Sequence, residues 1–331
     1  QPHTMPDHGV IWAFEIFSAS VLAELVNKAV LHPIDTLKAR LQYQRAVGTL
    51  TQQSAKVVGD VWWKDVARWP VVSDVLAAAA LVRAELYPMR ALFAGLTPSL
   101  IGVFPVSLVY MPTYEISKAY VKGTALEGTP VPAVLTGIAS ATVRVPVSVV
   151  KARMQLQLHK DFFSCVREAV SQKRGVRGLY VGFNAVLLLD ITYAAIAFAC
   201  IEHMRAMAYA RKERLEGRPS GEYSVKDLSA STNAMIGFTT GIVTSLITEP
   251  IDVIKTRLMA QRTASGSGPV EGAYFGYRGV GHGLMSAIRQ EGMLTLWKGS
   301  LPRLVIKAFG SSLWFTMYMF FRQLFPSSAS E

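Results

Sequence analysis

Three short runs combine a proline with polar groups at helical spacing: Pro33-Ile-Asp35-Thr-Leu-Lys38, Pro146-Val-Ser148-Val-Val-Lys151 and Pro250-Ile-Asp252-Val-Ile-Lys255. An acid and a base three residues apart share one helix face, so such a run offers a carboxylate to one neighbouring helix and an ammonium to another. The chemistry this allows is the making and breaking of interhelical ion pairs. Pro-x-acid-x-x-base arises about 0.1 times by chance at this composition, yet it occurs twice here, with a near-copy at Pro146. A second charged signature also recurs three times: Tyr114-Glu115-x-x-Lys118, Ile201-Glu202-x-x-Arg205 and Tyr318-Met319-x-x-Arg322. Catalytic chemistry has no comparable support. The six histidines are scattered, none has metalloprotease spacing, and no nucleophile motif or phosphate loop is present. No enzyme, metal or cofactor is expected.

The charges must be carried by apolar elements. Of 331 residues 51% are hydrophobic and 17% charged, and mean hydropathy is +0.29, a balance that points to lipid as solvent. The net charge of +11 suits an anionic membrane surface, and the apolar content sets nucleic acid aside. Nearly every apolar segment holds one or two charges, which in a bundle face the interior or a cavity. Cys165 and Cys200 have no CxxC partner and read as structural. The sequence opens on Gln1, compatible with a removed presequence or with a longer chain.

Each proline run closes an apolar segment. A polar stretch and a short amphipathic segment follow, and then a glycine-bearing lead-in to a second apolar segment: LFAGLTPSLIGVFP at 92–105, LYVGFNAVLLLDI at 179–191 and LWKGSLPRLVIKAFG at 296–310. The pattern predicts three repeats, 9–121, 131–213 and 226–325, with long helices near 9–42, 88–121, 131–157, 180–213, 226–262 and 298–325. The connection 43–87 is longer than its counterparts and reads as an insertion in the first repeat; Trp62, Trp63 and Trp69 within it suit either a cover for the bundle or a protein-docking segment at 55–72. The glycine-rich stretch 265–283, with its GVGHG, follows no strand and reads as a loop.

Taken together, LHPIDTLKARLQ, VRVPVSVVKARMQ and TEPIDVIKTRLMAQ, with their lead-ins and second charged signatures, resemble the mitochondrial carrier family over nearly the whole chain. The resemblance implies an all-α membrane protein of six transmembrane helices in three pseudo-threefold repeats, with short matrix-side surface helices, in the mitochondrial inner membrane. It implies a matrix gate pairing Asp35 with Lys151 and Asp252 with Lys38, with Ser148 facing Lys255 in place of an acid. Gln42 and Gln155 stand where bracing glutamines are expected, and Met259 takes the third such place. A cytoplasmic gate would pair Glu115 with Arg205 and Glu202 with Arg322, Lys118 losing its partner to Met319. The solute would cross by alternating access between the two gates.

Candidate substrate contacts follow from depth. Lys28 lies seven residues before Asp35 and Arg144 seven before Lys151, on the same inner faces; Glu24, four before Lys28, is placed to neutralise it. Asp190 and Lys307 stand fifteen residues before Arg205 and Arg322. Opposite charges at equivalent depth suit the two ends of a small zwitterion, or they neutralise one another. Tyr110 and Tyr193 are candidate stacking or hydrogen-bonding neighbours. The run LLLDITYAAIAFACIEHMR, with VRVPVSVVKARMQ and IGVFPVSLVYMPTYE, is similar to the S-adenosylmethionine carriers; Leu189 and Lys28 depart from their usual arginine and acid. Trp297-Lys298-Gly299 matches an aromatic-base-glycine signature through which relatives bind cardiolipin, whereas Phe93-Ala94-Gly95 and Tyr180-Val181-Gly182 lack the base. The alternative is a carrier fold that no longer transports and serves as a structural subunit of a larger inner-membrane complex, suggested by Ser148, Met319, Met259 and the tryptophan-bearing insertion.

Overall fold

The computed structural model describes residues 7–43 and 89–324, apart from 125, 130, 160, 172–174, 217–227 and 262–275. The tryptophan-bearing insertion and the candidate docking segment 55–72 lie outside the described residues. The described chain is helical: α1 Asp7–Tyr43, a single turn Met89–Leu92, α2 Leu96–Ile101, α3 Val103–Val121, α4 Val131–Gln155, α5 Phe162–Ser171, α6 Phe183–Glu216, α7 Ala230–Ala260, α8 Val280–Glu291 and α9 Ser300–Leu324. Short 3₁₀ turns at Gly175–Tyr180 and Met293–Trp297 lead into α6 and α9.

A hydrocarbon core about 30 Å thick needs about 20 helical residues. Five segments are long and apolar enough to cross it: Leu96–Val121, Val131–Gln155, Gly175–Leu215, Ser231–Ala260 and Met293–Leu324. Helix α1 has 37 residues and is the sixth long element. Its charges at Glu24, Lys28, Asp35, Lys38 and Arg40 lower its hydropathy, and packing against α9, α2 and α3 compensates. Small residues permit that packing: Ala19 and Ala23 are fully buried, and a Cβ on Gly310 of α9 would stand 3.1 Å from Leu31 Cδ1.

The long helices form a closed ring in which α1 is followed by α2 and α3, then α4, α6, α7 and α9, which packs back on α1. Helices α1, α4 and α7 also touch one another. Helices α3, α6 and α9 have no extensive mutual packing among the described residues. The two ends of the bundle are therefore unlike.

Proline lacks the N–H that would bond the carbonyl four residues earlier. Pro33, Pro146 and Pro250 nevertheless lie inside continuous helices. In two repeats an aromatic from the next lead-in takes over the freed carbonyl: Tyr180 Oη donates to the Thr142 carbonyl at 3.1 Å, and Trp297 Nε1 to the Leu246 carbonyl at 3.1 Å. The first repeat has Phe93 at this place, a ring without a donor. It stacks on His32 instead, centroids 6.4 Å apart.

The surface helices α5 and α8 turn Cys165 and Ala169, and Gly283 and Ala287, inward. One expectation is corrected here: GVGHG is not wholly loop, because α8 begins at Val280. Gly283 is required by contact, since a Cβ there would lie 2.7 Å from Ile254 Cγ2 and 3.2 Å from the Tyr277 ring. Gly283 lets α8 press on α7.

Candidate functional site

At the proline end, the carboxylates of α1 and α7 meet ammonium groups from the neighbouring repeats. Lys151 Nζ lies 2.5 Å from Asp35 Oδ2, joining α4 to α1. Lys38 Nζ lies 2.5 Å from Asp252 Oδ2, joining α1 to α7. Gln155 Nε2 donates to Asp35 Oδ2 at 2.9 Å, and Gln42 Nε2 to Asp252 Oδ2 at 3.0 Å and Glu249 Oε1 at 3.0 Å. The third contact differs. Lys255 does not bond Ser148; its Nζ sits 3.1 Å from Asp252 Oδ1 on its own helix, because a serine hydroxyl is too short and weakly polar to draw an ammonium from a carboxylate. Among the described residues, no polar side chain of this ring joins α4 to α7. Met259 fills the glutamine's place as an apolar plug, 2% exposed.

Beside this ring lies another that the sequence reading did not use. Arg40, Arg153 and Arg257 each stand seven residues after the proline, and all are buried. Arg40 Nε donates to the Gln155 carbonyl at 3.0 Å, Arg153 Nε to the Met259 carbonyl at 3.3 Å, and Arg257 Nε to the Gln42 carbonyl at 2.9 Å. Each arginine thus bonds the C-terminal turn of the next repeat's proline helix, where carbonyls lack helical partners. Arg257 also forms a two-pronged pair with Glu291, 2.9 Å to each oxygen. Its spacing was the available signal. Nothing in the repeat pattern announces the pair Arg303–Glu249, 2.9 Å apart with both side chains buried, since the other repeats have Ser99 with His32 and Val186 with Val145 at these places.

Gly95, Gly182 and Gly299 open the second half of each repeat in the left-handed region, φ 81°, 84° and 83°, where glycine is unstrained. Each lies on the next proline helix. A Cβ would stand 2.9 Å from the Lys151 carbonyl at Gly95, 3.1 Å from Met259 Cγ at Gly182 and 2.8 Å from Gln42 Cγ at Gly299. In Trp297-Lys298-Gly299, the candidate lipid signature, the tryptophan N–H is occupied by Leu246 and the glycine by Gln42.

At the other end, the expected pairs Glu115–Arg205 and Glu202–Arg322 are not formed. Glu202 instead bonds Arg205 along its own helix at 3.5 Å. Glu115, Lys118 and Arg322 are exposed and have no ion-pair partner among the described residues. With α3, α6 and α9 held apart by the helices between them, these side chains have nothing to reach.

Between the two ends is a cavity of about 610 Å³ that extends from Asp35 and Lys151 to Trp314 and Phe315, with Lys28 and Lys307 on its walls. It adjoins one of about 480 Å³ lined by Tyr110, Arg144 and Ser148. Lys28 Nζ is 3.0 Å from Glu24. Asp190 is not paired with Lys307: it contacts Arg144. Offsets along the helices compare depth only, whereas α6 packs beside α4 and so brings Asp190 to Arg144. Lys307 lies over the Tyr193 ring, 4.6 Å from its centroid. Tyr110 stacks on Tyr114 with centroids 6.4 Å apart.

Known proteins extend this picture. The mitochondrial carrier protein family model matches residues 11–125, 130–212 and 226–329. S-adenosylmethionine carrier 1, chloroplastic/mitochondrial, of Arabidopsis thaliana is 32% identical over 307 residues, covering 91% of this chain and 76% of its own. The mitochondrial S-adenosylmethionine carrier protein of Danio rerio is 28% identical over 238 residues, 69% of this chain and 80% of its own. The Mitoferrin of Dictyostelium discoideum is 24% identical over 312 residues, covering 92% of each chain. The first two of these relatives are named as carriers. Three matched repeats and a ring of six long helices make this chain a member of the mitochondrial carrier family, a multi-pass solute transporter of the mitochondrial inner membrane.

Proposed function

We propose that the chain moves a small zwitterionic metabolite by alternating access, with S-adenosylmethionine the first candidate. The observation that carries this reading is the contrast between the two ends. Lys151–Asp35 and Lys38–Asp252 are closed, while among the described residues the charges at 115, 118 and 322 face no partner, and a cavity of about 610 Å³ lies between. On this reading the proline end is the matrix gate, braced by Gln42 and Gln155, and the opposite end is the cytoplasmic gate, here open. A bound solute offsets the cost of separating one set of ion pairs as the other forms. Only about 5.5 kcal/mol of differential stabilisation turns a 1:99 mixture into 99:1, and a ring with two interhelical pairs keeps the gap between the two states small.

The candidate solute rests on the S-adenosylmethionine carriers among the relatives and on paired charges of both signs along the cavity. Cardiolipin at the lead-in turns remains part of the proposal, with main-chain N–H groups at the starts of α6 and α9 as donors. The deciding experiment is uptake of radiolabelled S-adenosylmethionine, amino acids, nucleotides and carboxylates by the purified protein in cardiolipin-containing liposomes, with and without internal counter-substrate. Saturable uptake that is lost in Asp190→Ala is the expected result. Absence of any uptake by folded protein overturns the transport reading in favour of a structural subunit.

A further inference from the structure

The charges around the cavity pair off with one exception. Lys28 is matched by Glu24 at 3.0 Å and Lys151 by Asp35 at 2.5 Å. Arg144 contacts Asp190, and Arg303, one turn before Lys307, is held by Glu249 at 2.9 Å. Lys307 lines the cavity, is exposed to it, and has no carboxylate within ion-pair distance among the described residues. The Tyr193 ring, 4.6 Å away, attracts the ammonium through its face but leaves its charge uncancelled. An ionisable group left without a counter-ion inside a membrane bundle marks the path of a solute.

A second unmet group lies close by. Asn27 lines the same cavity from α1, and its Oδ1 is enclosed yet accepts no hydrogen bond among the described residues. A Cβ on Gly310 would stand 3.8 Å from that oxygen, and Gly310 is three residues after Lys307, on the same side of α9. An ammonium seeking an anion and an amide oxygen seeking a donor, on facing helices of one cavity wall, are the complement of an amino acid's two charged ends.

We propose that Lys307 and Asn27 form a head-group subsite for an α-amino acid moiety. Lys307 Nζ donates to the solute's carboxylate, and Asn27 Oδ1 accepts from its α-ammonium. A single uncancelled cation matches a monoanionic carboxylate, whereas a phosphate dianion would leave charge unmet in a cavity whose other cations are already paired. Trp314, two turns beyond Lys307 on the same helix, lines both cavities and offers a flat apolar wall for the rest of the solute. This subsite rests on the transport reading, because it lies on the path the solute would take.

The test uses the full chain in detergent and matched ligands that differ by one carboxylate: S-adenosylmethionine and its decarboxylated form, arginine and agmatine, lysine and cadaverine, with AMP as a phosphate probe. Calorimetric titration should find at least one carboxylate-bearing member bound about tenfold or more tightly than its partner. Lys307→Met should bring that pair to within about twofold by weakening only the carboxylate-bearing member, and Lys307→Arg should restore the preference. Asn27→Leu should weaken the same ligand. Lys307 makes no ion pair among the described residues, so the melting temperature of Lys307→Met without ligand should match the parent, and Lys307→Gln serves as a second variant. Equal binding within every pair, a preference that survives in Lys307→Met and Lys307→Gln, or tighter binding of AMP that depends on Lys307 overturns the subsite. Liposome uptake separates the two proposals: transport without carboxylate preference overturns the subsite and keeps the transporter, and carboxylate-selective binding without transport does the reverse.

Discussion

Gly299 and Gln42 meet so closely that a Cβ on the glycine would lie 2.8 Å from the glutamine's Cγ. The same glutamine bonds Asp252 at 3.0 Å, so the lead-in to α9 presses on the side chain that steadies the Lys38–Asp252 pair.

Gly299→Ala should therefore destabilise by about 2–4 kcal/mol, combining left-handed backbone strain with overpacking. Gly237→Ala, in α7 with nothing within 4 Å of the new methyl, should shift stability the other way by about 0.5–1 kcal/mol through helix propensity. Thermal unfolding in detergent measures both, and a fall for both variants would contradict the close-approach account.

Trp297→Phe removes the donor to the Leu246 carbonyl and should cost about 1–2 kcal/mol in unfolding free energy. Phe93→Tyr tests the converse. If the first repeat follows the geometry of Tyr180, the new hydroxyl reaches the Ala29 carbonyl, freed by Pro33, and should add about 0.5–1.5 kcal/mol; an unchanged melting temperature would show that the first lead-in sits differently.

Asp252 receives Lys38, Lys255, Gln42 and, at 3.8 Å, Arg303. Asp252→Asn leaves those cations short of one charge and should cost about 3–5 kcal/mol, more than Asp35→Asn, whose carboxylate is 27% exposed. Equal losses would argue against Asp252 as the principal junction.

Ser148→Asp gives Lys255 a partner across the α4–α7 contact. On the proposed cycle it should raise stability by about 1 kcal/mol and slow uptake about fivefold, since the state it favours must reopen each turn. Faster uptake with higher stability would remove ion-pair separation from the rate.

Arg322→Gln alters a group without an ion-pair partner among the described residues, so melting should move by less than about 0.5 kcal/mol. If Arg322 pairs with Glu202 in the opposite state, uptake should nevertheless fall. A large melting change with normal uptake would place its role in folding.

How far the sequence could be read follows from what a repeat preserves. Proline and base recur at fixed offsets in all three repeats and the acid in two, so the six long helical elements, the pairs at Asp35 and Asp252 and the glutamine contacts are legible in advance. The arginines at 40, 153 and 257 recur just as faithfully. Their role is hidden because charge in a helix suggests a charged partner, whereas each of these bonds a main-chain carbonyl of the next repeat, Arg257 adding the carboxylate of Glu291. Glu249–Arg303 breaks the symmetry and left no trace in the pattern. The contact of Asp190 with Arg144 was not legible, because equal offset says how deep a residue lies and nothing about which neighbour it faces. On the proposed cycle, the pairs expected of Glu115, Glu202 and Arg322 belong to an arrangement of α3, α6 and α9 other than the one seen here. The alanine and valine in the first two lead-ins leave those turns without the base of the third, yet Gly95 and Gly182 pack as closely on the next proline helix as Gly299 does.

The arginine ring has a topological consequence. Arg40 of the first repeat holds the second, Arg153 of the second holds the third, and Arg257 of the third holds the first. The last of these joins is made without any covalent connection between the repeats it unites. In the order of these contacts the protein has no beginning and no end, so a circularly permuted chain that starts at the second repeat should rebuild the same circle.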